Sequence, residues 1–324
     1  MPQSLSYVHS VHLALTRRCG AQCNYCTFKQ SDSPLMTFDE IEQVIRKQKP
    51  TGISTVVLGA GQSLERLANL PALWNDQGYA SFIHYVQDVC RIVLEHQLLP
   101  VVDIGPLTYA QLEMLRPFVP TIHLALENIN TDFRATVQQN KSADDIMETF
   151  SDAGILGIPI TTGLLFGAGE SIDDGLATLN ALDEIQKRYH NLQSVTLQYV
   201  YDTKRGNATR TDIEYLDMLV KYSRKVMPDV AVIVPIHAQL HWLDEGLLPD
   251  DIGFVFEGFD GINYDAPFPK LTELERQFAK NHITLVPRLP VFPDFIDRID
   301  ASESLRSVLA DWQSKRMYVT YAKA

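Results

Sequence analysis

Three of the four cysteines in the chain lie within eight positions of one another. Cys19, Cys23 and Cys26 have a Cys-x3-Cys-x2-Cys spacing, whereas Cys90 stands alone. In an intracellular chain, such clustering indicates metal or redox chemistry rather than a disulfide framework. Three thiolates in one loop can hold three irons of a four-iron cluster, which normally takes four cysteines. The fourth iron is then open to a small molecule, as in catalytic metal sites that keep an open position.

Three other interpretations compete with a cluster that has an open iron. A zinc site would need a fourth ligand, and His12 is the nearest histidine in the sequence. An electron-transfer cluster would need a fourth cysteine, and Cys90 falls inside a predicted helix. Accidental clustering of buried cysteines is improbable with so few in the chain. The spacing therefore favours the open cluster.

Composition and charge limit the remaining functions. The chain has 324 residues, of which 45% are hydrophobic and 21% charged, enough for one large or two medium domains. A net charge of −12 leaves no basic footprint for nucleic acid. No apolar run approaches the roughly 20 residues of a membrane-spanning helix, and no signal peptide is recognisable. We expect a cytoplasmic protein without nucleic-acid or membrane partners.

Predicted strands and helices alternate along most of the chain. The predicted strands are Val11–Leu15, Thr55–Leu58, Leu98–Ile104, Thr121–Leu126, Ile158–Phe166, Ser194–Val200 and, as a possible seventh, Val230–Val234. The predicted helices are Thr37–Lys47, Tyr79–Glu95, Thr108–Leu115, Ser142–Ala153, Ser171–Arg188 and Thr211–Val226. Thr37 and Glu40 form a capping-box pattern, and Gly154 is the predicted stop of its helix.

This alternation predicts a wound α/β sheet or a β/α barrel. A barrel is favoured because the residues of interest follow strands, where barrel active sites are built. No Gly-x-Gly-x-x-Gly pattern follows the first strand, which weakens a dinucleotide-binding interpretation. We predict a partial (β/α)6 TIM-like barrel over residues 1–236. Residues 237–324, irregular and proline-rich, are predicted to be a C-terminal extension that packs on the barrel.

The segment Arg18–Phe28, which follows the first strand and has Tyr25 before its third cysteine, resembles the signature of radical S-adenosylmethionine (SAM) enzymes. The resemblance implies a [4Fe-4S] cluster on Cys19, Cys23 and Cys26, with SAM on the open iron. Reduction of such a cluster cleaves SAM to methionine and a 5′-deoxyadenosyl radical, which abstracts a hydrogen from the substrate. The protein orients this cofactor chemistry and excludes water.

The same resemblance assigns SAM contacts to several strand ends. Gly59–Gln62 matches a glycine-rich turn whose backbone approaches the SAM amino group, although the family's glutamate is absent there. Glu127 resembles the SAM-binding carboxylate, and Gly163–Glu170 resembles a motif that packs against adenine. The implied SAM-binding residues are Tyr25, Phe28, Gly59, Ala60, Gly61, Gln62, Glu127, Gly167, Gly169, Glu170, Gln198 and Tyr199.

A closer resemblance is to the 5-deazaflavin (FO) synthase family, in particular its ring-closing subunit. The segments that carry it are Trp74 with Gly78-Tyr79-Ala80-Ser81 and Tyr85, Leu98-Leu99-Pro100, Asp152-Ala153-Gly154-Ile155, Ile158-Pro159-Ile160-Thr161-Thr162-Gly163, Gly167-Ala168-Gly169-Glu170-Ser171 and Pro287-Arg288-Leu289-Pro290-Val291-Phe292-Pro293. That subunit abstracts a hydrogen from a tyrosine–ribityldiaminouracil adduct, closes the deazaflavin ring and releases ammonia. The resemblance also implies a reductant such as flavodoxin or ferredoxin, and a second radical SAM subunit that supplies the substrate.

The chain departs from the family's pattern at predicted cavity positions. It has Ala60-Gly61 in place of Glu-Pro, Val101 and Asp103 in place of His and Asn, and Tyr199-Val200 in place of Asn-Phe. One alternative is therefore a relative recruited to another aromatic or amino-acid-derived molecule, and a second is a non-enzymatic iron–sulfur or zinc-binding protein. The candidate substrate contacts are Asp103, Tyr201, Asp202, Lys204, Arg205 and His237. Among them, Tyr201, Asp202 and Asp103 are the catalytic candidates.

Overall fold

The computed structural model describes residues 3–64, 67, 71–200, 210–235, 249–258 and 268–315. The strands are β1 (Gln3–Thr16), β2 (Gln22–Cys23), β3 (Thr55–Ala60), β4 (Leu99–Asp103), β5 (Thr121–His123), β6 (Gln138–Gln139), β7 (Ile160–Phe166), β8 (Leu192–Tyr199), β9 (Ala231–Ile233), β10 (Asp251–Phe256) and β11 (Ile283–Pro287). The helices are α1 (Phe38–Gln48), α2 (Pro71–Asn75), α3 (Phe82–Glu95), α4 (Tyr109–Leu115), α5 (Thr131–Val137), α6 (Ala143–Leu156), α7 (Ile172–Tyr189), α8 (Arg210–Val226), α9 (Leu271–Lys280), α10 (Pro293–Ile296) and α11 (Glu303–Ser314).

Eight parallel strands close into a barrel. Their order is β1, β3, β4, β5, β7, β8, β9 and β10, and β10 returns to pair with β1. The predicted α/β barrel is thus confirmed, but its ring has two strands more than the predicted six. Parallel order places the carboxyl ends of all eight strands at one rim, where barrel active sites lie.

The long strand β1 pairs with different strands along its length. Its C-terminal half pairs with β3, and its N-terminal residues Gln3–Tyr7 pair with β11 outside the ring. The core lies between the barrel and the surrounding helices. Its largest fully buried side chains include Tyr85 on α3, Phe150 on α6 and Phe166 on β7. The structure therefore has the layered arrangement of a β/α barrel.

Helix ends follow the predicted capping chemistry in most places. Thr37 caps α1 in a complete capping box with Glu40, as predicted. The predicted stop at Gly154 was wrong, because α6 continues to Leu156 and ends at Gly157, whose φ is 71°. Gly154 serves packing instead, since its ideal Cβ position lies 2.5 Å from the Cβ of Tyr189 on α7. Only Gly157 needs the left-handed conformation.

The C-terminal part of the chain packs on the barrel and also contributes to it. Trp312 on α11 donates from Nε1 to the carbonyl of Gln97 at 2.9 Å, which fixes α11 beside α3 and β4. Strand β10, beyond the predicted boundary at residues 236 and 237, closes the ring. The division of the chain at that boundary stays a prediction.

A buried ion pair joins β10 to the segment after β11. Arg288 donates to the Asp251 carboxylate through Nε at 2.6 Å and Nη2 at 2.9 Å, and Ser6 and the Gly253 amide also donate to it. The Asp251 side chain is fully buried, and the Arg288 guanidinium lies over the Phe292 ring. The pair therefore connects the barrel to the segment that follows it.

Across the described parts of the chain, no helix combines the length and the apolar character that crossing a membrane requires.

Candidate active site

A cavity of about 1330 Å³, which includes space open to solvent, lies at the carboxyl rim of the barrel. Strands β1, β3, β4, β8 and β10 contribute to its wall, together with the cysteine loop and the residues that follow β5. The sequence-predicted residues in this wall are Cys19, Cys23, Tyr25, Cys26, Phe28, Gly59, Ala60, Gly61, Gln62, Asp103, Glu127 and Gln198. The structure therefore brings the cysteines and most of the predicted SAM contacts together around one space.

The cysteine loop is held in a defined conformation by its own backbone. The Cys26 amide donates to the Cys23 carbonyl at 3.4 Å, and the Phe28 amide donates to the Cys26 sulfur at 3.4 Å. Arg17 closes the loop from outside by donating through Nε to the Phe28 carbonyl at 2.9 Å. All three loop cysteines are half-buried, whereas Cys90, on the buried face of α3, is inaccessible to solvent. Cys90 therefore belongs to the hydrophobic core and not to the cavity.

Two connections fix the cysteine loop to the rest of the rim. The Gly20 amide donates to the Gln62 carbonyl at 2.9 Å, which joins the loop to the turn after β3. Strand β2 pairs antiparallel with β6 through Cys23 and Gln138, and the Asn24 amide donates to the Val137 carbonyl at 3.1 Å. The loop is thereby tied to the segment that follows Glu127.

Glu127 is anchored from two sides. Its backbone has a φ of 64° and bridges β7 through the Gly163 carbonyl at 2.7 Å and the Leu165 amide at 2.9 Å. Its carboxylate accepts from Lys141 Nζ at 2.5 Å and Gln138 Nε2 at 2.7 Å. Both donors reach Oε2, so Oε1 has no hydrogen-bond donor among the described residues. One oxygen is therefore available to a ligand.

Buried groups around Glu127 stabilise this arrangement. Gln138 also donates to the Tyr25 hydroxyl at 3.1 Å, and burial followed by the charge of Glu127 raises the pKa of Tyr25. The buried guanidinium of Arg134 donates to the carbonyls of Leu126, Asn128 and Lys141. Arg134 thus holds the backbone on either side of Glu127 and the backbone carbonyl of Lys141.

The thiols of Cys23 and Cys26 are not activated by their protein surroundings. Burial raises the pKa of Cys23 to about 11 and also raises the pKa of Cys26. A coordinating metal overrides such a shift, because a metal-bound thiol is deprotonated outright. The surroundings therefore suit iron ligands better than redox-active or nucleophilic thiols.

A second cavity, of about 530 Å³, adjoins the first between β7 and β8. The predicted contact Tyr199 lines this second cavity, and Gln198 lines both. Residues shared by the two cavities also include Tyr25, His123 and Glu127. The two spaces therefore meet beside the Glu127 carboxylate.

The predicted adenine motif is divided, because its first residues, Gly163–Leu165, line the second cavity and its later ones do not. Gly167, Gly169 and Glu170 line neither cavity. The Glu170 carboxylate accepts from the amides of Gly167 at 2.7 Å and Ala168 at 2.9 Å and so closes its own turn. Their role in SAM binding stays a prediction. The candidates Tyr201, Asp202, Lys204, Arg205 and His237 lie outside the described residues.

Several cavity residues were not predicted from the sequence. His12, His123 and Lys141 line the main cavity, and Gln138 holds Glu127 beside it. His123 ends β5 and donates from Nδ1 to Asp103 Oδ2 at 2.9 Å. Its position at a strand end is the signal that could have found it. Lys141 carries no comparable signal, because the β2–β6 pairing brings it to the cavity.

Comparison with known proteins decides the family. The family model of the radical SAM superfamily matches residues 13–182, just over half of the chain. The chain belongs to the radical SAM superfamily. The predicted identity as a radical SAM enzyme is thereby confirmed, and a non-enzymatic role is not favoured. Membership in this superfamily implies SAM and an iron–sulfur cluster as cofactors.

Curated relatives extend the similarity to nearly the whole chain. The chain is 28% identical over 307 residues to a 7,8-didemethyl-8-hydroxy-5-deazariboflavin synthase from Methanococcoides burtonii, which covers 92% of each chain. It is 27% identical over 325 residues to the enzyme of the same name from Archaeoglobus fulgidus, covering 97% of this chain and 98% of the relative. The resemblance to deazaflavin synthases is therefore confirmed.

Solved structures agree on the fold. The hydrogenase maturase HydG from Carboxydothermus hydrogenoformans superposes with a TM-score of 0.69 at 17% identity, covering 97% of this chain and 75% of the maturase. At that identity the match supports the barrel fold alone.

The residues present fit an iron–sulfur cluster better than a single metal ion. The three loop thiols line one cavity, and each would bind a different iron. A zinc ion needs its ligands around one point, and among the described residues no three His, Cys, Asp or Glu side chains are arranged to hold a single ion. The donor set is thus consistent with the cluster that the superfamily implies.

Proposed function

We propose that this radical SAM enzyme closes the ring of a deazaflavin. Its substrate is the adduct of tyrosine-derived carbons with a ribityl-diaminouracil, and its product is 7,8-didemethyl-8-hydroxy-5-deazariboflavin, formed with loss of ammonia. The observation that carries the proposal is the match to synthases of that name over more than nine-tenths of both chains.

The cluster would be held by Cys19, Cys23 and Cys26, and SAM would lie beside it in the same cavity. When bound and reduced, this cofactor pair supplies methionine and a 5′-deoxyadenosyl radical that abstracts a hydrogen from the substrate. The chain's own residues position SAM and keep water away from it. Phe28, which is buried and lines the cavity two residues after the third cysteine, would cover one side of SAM.

Glu127 is the best-supported SAM contact. Its Oε2 atom is held by Lys141 and Gln138, and its Oε1 atom is available to accept from a cationic amino group. The Glu127 side chain is only 15% exposed, so such a hydrogen bond would form with little competition from water. Backbone groups of the turn Gly59–Gln62 would complete the binding of the amino-acid part of SAM.

The wall contributed by β10 supports an aromatic substrate. The rings of Phe254 and Phe256 are stacked, with centroids 5.9 Å apart and planes 13° apart. Phe268 meets Phe256 edge-on at 5.6 Å. A planar aromatic ligand can stack on such a surface or pack against it edge-on. The deazaflavin ring system and its phenol-derived precursor have this chemistry.

The rest of the proposal follows from the family resemblance. A small electron donor such as flavodoxin or ferredoxin would reduce the cluster, and a second radical SAM subunit would supply the adduct. We place the enzyme in the cytoplasm. Residues 237–324 would form a C-terminal part that completes and covers the barrel.

The test is an anaerobic assay on the reconstituted full-length protein. Dithionite, SAM and the adduct are supplied, and 5′-deoxyadenosine and deazaflavin fluorescence are measured together. Both should rise in the wild type and in Cys90→Ala, and both should be absent in Cys26→Ala. If SAM is cleaved but no deazaflavin forms, the substrate assignment fails, and the alternative of another aromatic or amino-acid-derived substrate takes its place.

A further inference from the structure

A cluster of three titratable side chains lines the same cavity as the cysteine loop. Asp103 ends β4, His123 ends β5, and His12 lies on β1. His123 Nδ1 and Asp103 Oδ2 are 2.9 Å apart. Gly59, which pairs with Asp103 across the sheet, leaves room for the His12 ring, since its ideal Cβ position is 2.2 Å from His12 Nε2. Strands β4 and β5 are neighbours, and β1 is separated from β4 only by β3, where Gly59 has no side chain to keep the His12 ring away.

The charges around His123 favour its protonated form. Burial, the largest single influence, lowers the pKa of His123, but the charge of the Asp103 carboxylate and its hydrogen bond act in the opposite direction, and the net shift is upward. Glu127 adds to that increase, and Lys141 opposes it. Burial would raise the pKa of Asp103, but His123, and further off His12 and Lys141, lower it. Each member of the pair therefore favours the charged form of the other.

The second ring nitrogen of His123 is the one that a ligand can reach. Asp103 is the only hydrogen-bond partner of His123 among the described residues, and it binds Nδ1. His123 lines both cavities, and its side chain is 17% exposed. Phe254 meets the imidazole edge-on, at 6.1 Å between centroids and 74° between planes. The ring is thus fixed in orientation, with Nε2 left for a bound molecule.

Other groups in the cavity are already committed. Lys141 is paired with Glu127, and the cysteines are assigned to the cluster. The cluster of His12, Asp103 and His123 is not arranged to hold a single metal ion either, as far as the described residues show. Proton transfer is the remaining chemistry that a histidine oriented by a carboxylate performs well.

We propose that His123 is the proton-transfer residue of this cavity and that Asp103 is its positioning residue. This inference rests on the proposed function, because the amine lost in ring closure is the group that receives the proton. Asp103 is also a position where the chain departs from the deazaflavin synthase pattern. The pair would then be this chain's own means of releasing ammonia.

The proton balance of the step is simple. As the C–N bond breaks, the amine nitrogen keeps the bonding electron pair, takes the Nε2 proton of the imidazolium and leaves as ammonia. The carbon framework, left with one positive charge, gives a proton to the neutral imidazole. His123 thereby returns to its starting form, and no electron passes through it. Asp103 keeps Nδ1 protonated throughout.

The decisive experiment compares His123→Gln with the wild type in the reconstituted holoenzyme. We expect 5′-deoxyadenosine formation to persist within about twofold, while deazaflavin formed per 5′-deoxyadenosine falls by about 100-fold or more, the usual effect of losing a general acid. His84→Gln, on the exposed face of α3, is the matched control and should behave as wild type.

Asp103→Asn provides a second readout that a purely structural role would not move. The wild-type product ratio should fall as pH rises through the raised pKa of His123, because the imidazolium is lost. In Asp103→Asn, the product ratio should fall at a lower pH than in the wild type. In Asp103→Glu, the pH at which it falls should lie between these two.

Two results would count against the account, and they differ. If His123→Gln keeps the wild-type product ratio, or if Asp103→Asn leaves the pH profile unmoved, His123 is not the proton-transfer residue. If the wild type cleaves SAM without converting the adduct, the proposed function itself fails, and the assignment of the amine fails with it.

Discussion

Gly61 lies directly against Cys19. A methyl group at the Cα of Gly61 would be 2.4 Å from the Cβ of Cys19 and 2.1 Å from the Arg18 carbonyl oxygen. Cβ atoms essentially never approach another heavy atom within 3.0 Å. The turn after β3 and the cysteine loop therefore fit together only because this position has no side chain. The glycine-rich turn supports the cysteine loop as well as lining the cavity.

Gly61→Ala should consequently displace the cysteine loop. Because the obstructing atoms belong to backbone and Cβ, they cannot rotate away, and we expect the variant to lose most of its iron after reconstitution. Gly59→Ala is the matched comparison, since its clash is with the His12 side chain. We expect Gly59→Ala to lose iron as well, through the clash with His12. Adding His12→Ala should therefore restore the iron content of Gly59→Ala but not that of Gly61→Ala. Full iron content in Gly61→Ala would contradict this packing.

Glu127→Gln should weaken SAM binding without removing iron. Losing a charged hydrogen bond costs about 1.5–3 kcal/mol, which corresponds to a dissociation constant roughly tenfold to hundredfold higher. The variant also leaves Lys141 buried without its partner, so its stability should fall. Glu127→Gln/Lys141→Met should recover stability but not SAM affinity. SAM titration and thermal unfolding separate the two effects, and unchanged affinity in Glu127→Gln would rule out the contact.

Arg288→Ala should destabilise the fold strongly. The side chains of Arg288 and Asp251 are almost completely buried, and breaking a buried pair typically costs about 3–5 kcal/mol. The neighbouring pair of Arg224 and Asp250 provides a control, because the Arg224 side chain is 45% exposed. Arg224→Ala should cost about 1 kcal/mol or less. Denaturant unfolding gives both values, and equal losses in the two variants would contradict this role.

The His123–Asp103 pair should make stability depend on pH in a defined direction. The raised pKa of His123 contributes stability that is complete below its ordinary pKa of 6.5 and is lost as pH rises through the raised value. The lowered pKa of Asp103 contributes stability above its ordinary pKa of 3.8. The melting-temperature difference between wild type and Asp103→Asn should therefore be larger near about pH 6 than near about pH 9.

The expected size of that effect is about 1 kcal/mol or less, because the Asp103 side chain is 33% exposed to the cavity. The same comparison on His84→Gln should show no such difference. If the melting-temperature difference between wild type and Asp103→Asn instead grows with pH, the assigned directions of the two pKa shifts are wrong.

The cysteine loop and the glycine-rich turn could be found from the sequence because each is a short local motif, and Glu127 because it follows a predicted strand and resembles a family residue. The barrel followed from alternating strands and helices. Strand β10 was missed because it begins with Asp251 and contains Gly253 at a φ of 76°, both unusual in a buried strand. Its acidic residue is explained only by Arg288, which is distant in the sequence.

Asp103 was among the residues predicted from the sequence, but His123 was missed, for a different reason. The predicted strand ran from Thr121 to Leu126, whereas β5 ends at His123. That error moved His123 from a strand end, where barrel sites are sought, into a strand interior. Lys141 could not be found at all, since its contact with Glu127 depends on the two-residue pairing of β2 with β6. Such contacts require the folded chain.

The most direct test of the central claim follows the abstracted hydrogen. The adduct is deuterated throughout its tyrosine-derived carbons, and the reconstituted enzyme is given SAM and dithionite. We predict that deuterium appears in 5′-deoxyadenosine in step with deazaflavin formation. Unlabelled 5′-deoxyadenosine without deazaflavin would show that this radical SAM enzyme does not act on the adduct and would contradict the proposed function.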